Sequence, residues 1–147
     1  MITFTAYGIP APQGSTKAFM RRGMKHPVVV ADCARTKPWR QAIVDASRDA
    51  LEHHAVMAGP VEVRVVFYLP RPKSAPRRVT EPTTKPDLDK LQRALLDALT
   101  AAGVWRDDSQ VIHVHARKAF AGGAHDEDGP GGVPRAHITV ETVEATA

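Results

Sequence analysis

Cysteine is almost absent: Cys33 is the single thiol among 147 residues. One cysteine excludes an intramolecular disulfide and any thiolate metal cluster held within one chain, and it suits a reducing cytosol. Its expected part is that of a small buried packing residue rather than a nucleophile. Long apolar runs are missing too. Although 43% of residues are hydrophobic, none of the runs approaches the roughly 18 residues of a membrane span, so no membrane partner is expected. The first ten residues, MITFTAYGIP, lack a basic leader followed by an apolar block, which argues against a secretory signal and for a cytoplasmic protein. Internal repeats are lacking, as is any sign of a second domain. Residues 1–147 are expected to form one domain, long enough to bury a single core without staples.

What is present is positive charge in two places. The net charge is +4 and the pI near 9.5, which alone is weak evidence for a polyanionic partner. The distribution says more. Lys17, Arg21, Arg22 and Lys25 share one polar stretch, and Arg71, Lys73, Arg77, Arg78 and Lys85 share a second, Pro-rich one. Acids gather elsewhere, at Asp126 to Asp128 and at Glu141 and Glu144. Two basic loops suit a surface that tracks phosphates; ordinary solvated loops fit the same composition.

Periodicity organises the rest. Ile2, Phe4 and Ala6 alternate with polar residues as a half-buried strand ending at Gly8 and Pro10. Met20 to Met24 followed by Val28 to Val30 suggests a short hairpin. Thr36 as cap and Pro38 in the first turn predict a helix from about 36 to 54, with Trp39, Ile43, Ala46 and Ala50 on its apolar face. Val61, Val63, Val65, Phe67 and Leu69 mark the clearest strand. Pro70, Pro72, Pro76 and Pro82 exclude residues 70 to 86 from a sheet. A second helix opens at Asp87, carries a stripe of Leu88, Leu91, Leu95, Ala98, Leu99 and Ala102, and closes at Gly103. Ile112, Val114 and Ala116 alternate with His113, His115 and Arg117 as a strand. A flexible Gly-rich turn from Gly122 to Gly132 follows, then a last strand of Ala136, Ile138 and Val140. The order predicts an α+β fold: one mixed sheet with two main helices packed against it.

Chemistry is concentrated in KPDLDKLQRALLDALTAAGVWRDDSQV, from Lys85 to Val111. Asp87 and Asp89 sit at a helix start, where capping and the helix dipole explain them at about 0.3–1 kcal/mol each. Asp89 also precedes Arg93 by four residues, a favourable acid-first pair. Asp107 and Asp108 are different, because an acid pair leading into a strand is poorly explained by capping. If that strand lies beside the one ending at Leu69, three or four carboxylates converge without matching cations. Such a cluster repels itself unless a divalent metal is bound or some acids hold protons. Mg²⁺ takes oxygen ligands and keeps several waters, which leaves room for a phosphate oxygen and an attacking water. Lys90 and Arg93 could face this site and stabilise developing charge. Lys118, in step with the apolar residues of its strand, needs an acidic partner or a route to solvent.

Three blocks of this stretch resemble the RusA family of Holliday-junction resolvases. They are Asp87-Leu88-Asp89-Lys90-Leu91-Gln92-Arg93-Ala94, Asp97-Ala98-Leu99-Thr100 and Gly103-Val104-Trp105-Arg106-Asp107-Asp108-Ser109-Gln110-Val111. Pro10 to Ser15 and Thr36-Lys37-Pro38-Trp39-Arg40 look like phage-borne members of that family. The resemblance implies a homodimeric α+β nuclease that makes paired nicks in branched DNA with Mg²⁺, or Mn²⁺ in its place, in a bacterial or phage-infected cell. It places the essential acids on Asp87, Asp89 and Asp108, with Asp107 beside them. The family's helix lysine falls on Arg93, and a later lysine on Lys118. Arg93 keeps the charge but cannot easily donate a proton; Lys90 stands where the family often has Asn and is a second candidate cation. His113 stands where related sequences often carry another acid, and could ligate Mn²⁺ or act on a proton. Rival readings are a broader flap or fork nuclease, a non-cutting DNA-binding module whose acids are helix caps, and a nucleotide phosphohydrolase.

Overall fold

The computed structural model describes residues 1–13, 17–19, 22, 23, 25, 28–30, 34–127 and 129–144, with only the backbone for 17–19 and 28–30. Arg21, Cys33 and the side chain of Lys17 therefore lie outside the described residues, as do Met20, Met24 and Asp128.

Elements run β1 (Ile2–Tyr7), β2 (Lys17–Phe19), β3 (Val28–Val30), α1 (Thr36–Leu51), β4 (Val61–Leu69), α2 (Leu88–Ala102), a 3-10 turn (Asp108–Gln110), β5 (Val111–Phe120) and β6 (Arg135–Thr142). Four strands make one mixed sheet in the order β1-β6-β4-β5, and β2 pairs with β3 as a separate two-stranded sheet among the described residues. β6 is antiparallel to both β1 and β4, whereas β5 runs parallel to β4. The expected α+β architecture is what the chain adopts. No helix among the described residues is long and apolar enough to cross a membrane.

The core follows the alternation. Ile2, Phe4 and Ala6 of β1, Val61, Val63, Val65 and Phe67 of β4, and Ala136, Ile138 and Val140 of β6 are buried on one sheet face. Trp39 and Ile43 of α1 and Leu91, Ala94, Leu95, Ala98 and Leu99 of α2 complete the same cluster. Both helices pack on this face; on the other, Thr3, Arg64 and His113 are exposed, whereas Tyr68 and Arg135 are buried.

Four local expectations change. The small hairpin begins at Lys17–Phe19 rather than at Met20. Helix α1 ends at Leu51, and Thr36 does not cap it: Arg35 holds the cap position, while the Thr36 hydroxyl donates to the Pro12 carbonyl at 2.7 Å. Ile112 is 64% exposed instead of facing the core. The β4–β5 ladder skips it, passing from Val61↔Val111 to Glu62↔His113, and an extra residue in one strand is turned outward by such a bulge.

The Gly-rich stretch before β6 is braced by one ion pair. Arg135, fully buried, is paired with Asp126 and stacks 4.0 Å from the centre of the Tyr68 ring. It also donates to the carbonyls of Pro130 and Val133, and Asp126 accepts from the backbone N–H groups of Gly122 and Gly132. One buried ion pair thus satisfies both ends of the turn that returns the chain to β6. The Arg135 guanidinium first, and the two backbone donors with it, hold the Asp126 carboxyl down at about 2, against an ordinary 3.8. A depressed carboxylate pKa contributes stability above the unfolded value and loses it as pH falls through the folded one. Urea unfolding should therefore lose on the order of 2 kcal/mol from this group between about pH 4 and pH 2. Asp126→Asn should already be destabilised at pH 7 and should lack that acid-dependent component.

Candidate active site

Helix α2 starts as the sequence indicates but uses its acids differently. Asp87 occupies the cap position with extended backbone, φ −72° and ψ 141°, yet its carboxylate makes no capping hydrogen bond. Asp89 in the first turn is also exposed. Its nearest cation is Lys90, at 3.8 Å, and among the described residues Arg93 forms no ion pair with it. Two exposed carboxylates thus stand at one helix end, and the first makes no capping hydrogen bond there. Beside them, the Lys118 ammonium donates to the carbonyls of Thr84 and Pro86, each at 3.0 Å. That satisfies the inward-facing lysine through main-chain oxygens rather than an acid, and places its charge next to the Asp87 end of α2.

Gly103 closes α2 in the left-handed region at φ 81°. Trp105 is buried after it, with its indole N–H on the Thr100 hydroxyl at 2.8 Å. Asp107 then caps the 3-10 turn, accepting from the Ser109 N–H at 2.8 Å. Capping therefore explains Asp107, against expectation, and fails to explain Asp87. Gln110 locks the turn in place. Its side-chain oxygen accepts from the N–H groups of Arg106 and Asp107, and its amide donates to the carbonyls of Met57 and Gly59.

Asp107 and Asp108 are shifted in opposite directions. The Ser109 N–H, then its hydroxyl, hold Asp107 below the usual carboxylate range. Asp108 is pushed up, first by its hydrogen bond with Asp107, then by burial and by the charges of Asp107 and Asp97. Asp108 is the carboxyl of this pair that more readily keeps a proton, which is how an acid pair without cations lowers its repulsion.

The four acids do not converge within one chain. Because β5 is parallel to β4, it starts at the Val61 end of that strand and reaches Phe67 only at Lys118. Asp87 and Asp89 lie near Lys118, and Asp107 and Asp108 lie at the opposite end of the crossover. The 15 residues of α2 between them rise about 22 Å. Besides Asp107, the carboxylate whose charge reaches Asp108 is Asp97, and Asp89 lies two turns, about 12 Å, further back along the helix.

The second basic segment runs into the Asp87 end of α2, and Gln13, which precedes the first in sequence, is bonded along the helix. The first leaves the residues around Gln13, whose N–H donates to the Lys90 carbonyl at 3.0 Å and whose amide donates to Asp97 at 2.6 Å. Arg22 and Lys25 beyond it are exposed. The second runs straight into Asp87. Within it Arg71 braces the loop, donating to the Val79 and Pro76 carbonyls at 2.7 Å each and lying 5.2 Å from the Phe120 ring centre. Lys73, Arg77, Arg78 and Lys85 are exposed.

Sequence reasoning placed Asp97 and Gln110 in the family blocks but gave neither of them a role. Asp97 follows Asp89 by eight residues, which puts both on one helix face, and that spacing was a readable signal. The work of Gln110 depends on the Met57–Gly59 segment 51 to 53 residues earlier, which no local pattern carries.

Comparison with known proteins agrees with these motifs. The family profile described as endodeoxyribonuclease RusA matches residues 10–141. The uncharacterized protein YqaN of Bacillus subtilis (strain 168) is 34% identical over 131 residues, covering 82% of this chain and 88% of that protein. The crossover junction endodeoxyribonucleases RusA of Escherichia coli (strain K12) and of Enterobacteria phage 82 are each 43% identical over 56 residues, 38% of either chain.

Replacing Gln110 by Leu removes four hydrogen bonds from the Asp107–Asp108 turn while keeping most of the side-chain volume. The variant should remain folded by circular dichroism, lose about 1–3 kcal/mol in urea unfolding, and show increased amide exchange at Ser109 and Gln110. Unchanged exchange there would mean that the turn is held by other contacts.

Proposed function

The chain belongs to the endodeoxyribonuclease RusA family, and on that premise we propose that it is a Mg²⁺-dependent endonuclease. Its substrate is branched DNA, the four-way junction of recombination and repair, which it resolves by paired nicks as a cytoplasmic homodimer. The observation that carries the reading is the pair of exposed carboxylates, Asp87 without a capping bond and Asp89 beside it, at the helix end into which the second basic segment runs.

The donor set fits a hard divalent cation: exposed carboxylate oxygens, with Lys90 3.8 Å from Asp89 as the one close competing cation described, suit Mg²⁺. Because Asp107 and Asp108 stand at the other end of α2, a second copy is what could complete the site. Asp87 and Asp89 of one protomer would join Asp108, with Asp107 beside it, of its partner. When bound, the ion neutralises phosphate charge and makes a water more acidic.

The chain's own cations act around that point. Lys118, held on the Thr84 and Pro86 carbonyls, supplies fixed positive charge beside the scissile phosphate. Lys90 and Arg93, on the first two turns of α2, supply mobile charge to the leaving oxygen. Lys17, Arg21, Arg22 and Lys25 in the first segment, and Lys73, Arg77, Arg78 and Lys85 in the second, grip flanking phosphates; Arg71 shapes its loop. These are backbone contacts, and they read the form of the DNA rather than its bases. Two sites related by a twofold axis cut two strands of one junction.

The test incubates the full chain with a synthetic four-way junction, a flap and a linear duplex, in Mg²⁺ or in EDTA. Junction cleavage should require Mg²⁺, and Asp89→Asn should lower it by at least about a hundredfold. Cleavage of none of the three sinks the nuclease reading, and undiminished cleavage by Asp89→Asn sinks the site. A faster rate on the flap would replace junction resolution by a broader branched-DNA activity.

A further inference from the structure

The open face of the sheet, opposite α2, carries a second set of ligating groups. Glu62 of β4 lies opposite His113 of β5, and Arg64 lies opposite His115. The Glu62 oxygens are 3.9 Å from Nδ1 of His113 and 3.9 Å from Nε2 of His115. The three ligand atoms lie within 4.8 Å of one another, and the imidazole rings are 4.2 Å apart at 40°.

We propose that Glu62, His113 and His115 form a metal site for an imidazole-preferring divalent cation such as Zn²⁺, separate from the carboxylates of α2. A tetrahedral ion with bonds of about 2.0–2.1 Å holds its ligands about 3.3 Å apart. Closing from the present spacing needs small side-chain rotations, and the histidines are 54% and 60% exposed and free to make them. The strand bulge is what assembles the set. Skipping Ile112 brings His113 onto the same face as Glu62, and a slip of one residue would put it on the other face. Two nitrogens and one oxygen suit Zn²⁺, and Mg²⁺ prefers oxygen alone, so the two kinds of site select different ions. Three protein ligands leave a fourth position for water or an outside donor. Arg64 competes, since it donates to Glu62 at 2.8 Å, but its side chain is 58% exposed and can swing away.

The test titrates Zn²⁺ into the untagged full chain by calorimetry with Mg²⁺ present throughout, and follows Co²⁺ by its visible spectrum. One Zn²⁺ should bind per chain with micromolar or tighter affinity, and Co²⁺ should give the bands of a nitrogen-ligated, low-coordinate ion. His113→Ala and His115→Ala should each weaken binding at least about tenfold. Arg64→Ala should tighten it, while a control that replaces both His53 and His54 by Ala should leave it unchanged. At an excess of about 100-fold over Kd, Zn²⁺ should raise Tm by about 5 °C or more. If either histidine variant melts anomalously without metal, the near-isosteric Glu62→Gln replaces it and should also weaken binding. Absence of stoichiometric Zn²⁺ binding overturns the proposal, as does binding that survives both histidine variants. Either result leaves the three groups an ordinary ion-pair cluster. Because metal binding is the readout, the outcome is independent of nuclease activity.

Discussion

Parallel pairing of β4 with β5 is the constraint on which the remaining arrangement depends. Parallel neighbours cannot be joined by a tight turn, so the chain must cross back over the sheet between them. Helix α2 is that crossing, and its apolar stripe of Leu91, Leu95 and Leu99 seals the core as it goes. The geometry of the return then dictates where the acids stand. Asp87 and Asp89 open the helix at one end of the sheet, and Asp107 and Asp108 follow its close at the other. A motif contiguous in sequence is thus divided between the two ends of one helix, and the proposed dimer is what would reunite it.

Polar groups buried or locked at the margins keep the two ends of that helix in position. Arg135 and Asp126 fasten the glycine-rich return to β6, a pair whose rupture would strand a charge in the interior. Gln110 performs the smaller task of tying the Asp107–Asp108 turn to Met57 and Gly59. Lys118 is fixed at the other end by main-chain carbonyls rather than by the nearby acids. It leaves the acids free of a buried partner and keeps a cation within their neighbourhood. Structural polar contacts and candidate reacting groups are thereby kept apart.

Much of this was legible from residue order. The alternation in β1, β4 and β6 and the stripe of α2 depend on local periodicity alone, and the structure follows them. The failures share a cause, which is dependence on a distant partner. Thr36 reads as a cap until the Pro12 carbonyl claims its hydroxyl. Ile112 reads as a core residue until the ladder with β4 passes over it. The bracing of the Gly-rich stretch is hidden because Arg135 looks like one more surface cation in the sequence. The capping roles of Asp87 and Asp107 are exchanged because Gln110 and Ser109 shape the second turn, and an isolated helix signal cannot report that. Convergence of the acids failed for the same reason: the spacing was right, but the direction of β5 decided the outcome.

The central claim is that each site draws Asp87 and Asp89 from one protomer and Asp108 from the other. Mixing two inactive proteins tests it directly. Asp89→Asn and Asp108→Asn would be combined, allowed to exchange subunits, and assayed for nicking of a four-way junction in Mg²⁺. In a mixed dimer with composite sites, one site carries both changes and the other carries neither. Nicking should return to about a quarter of the unsubstituted rate, since half of the dimers are mixed and each has one intact site. No recovery in a mixture shown to have exchanged subunits would mean that each site lies within one chain, and would contradict the account.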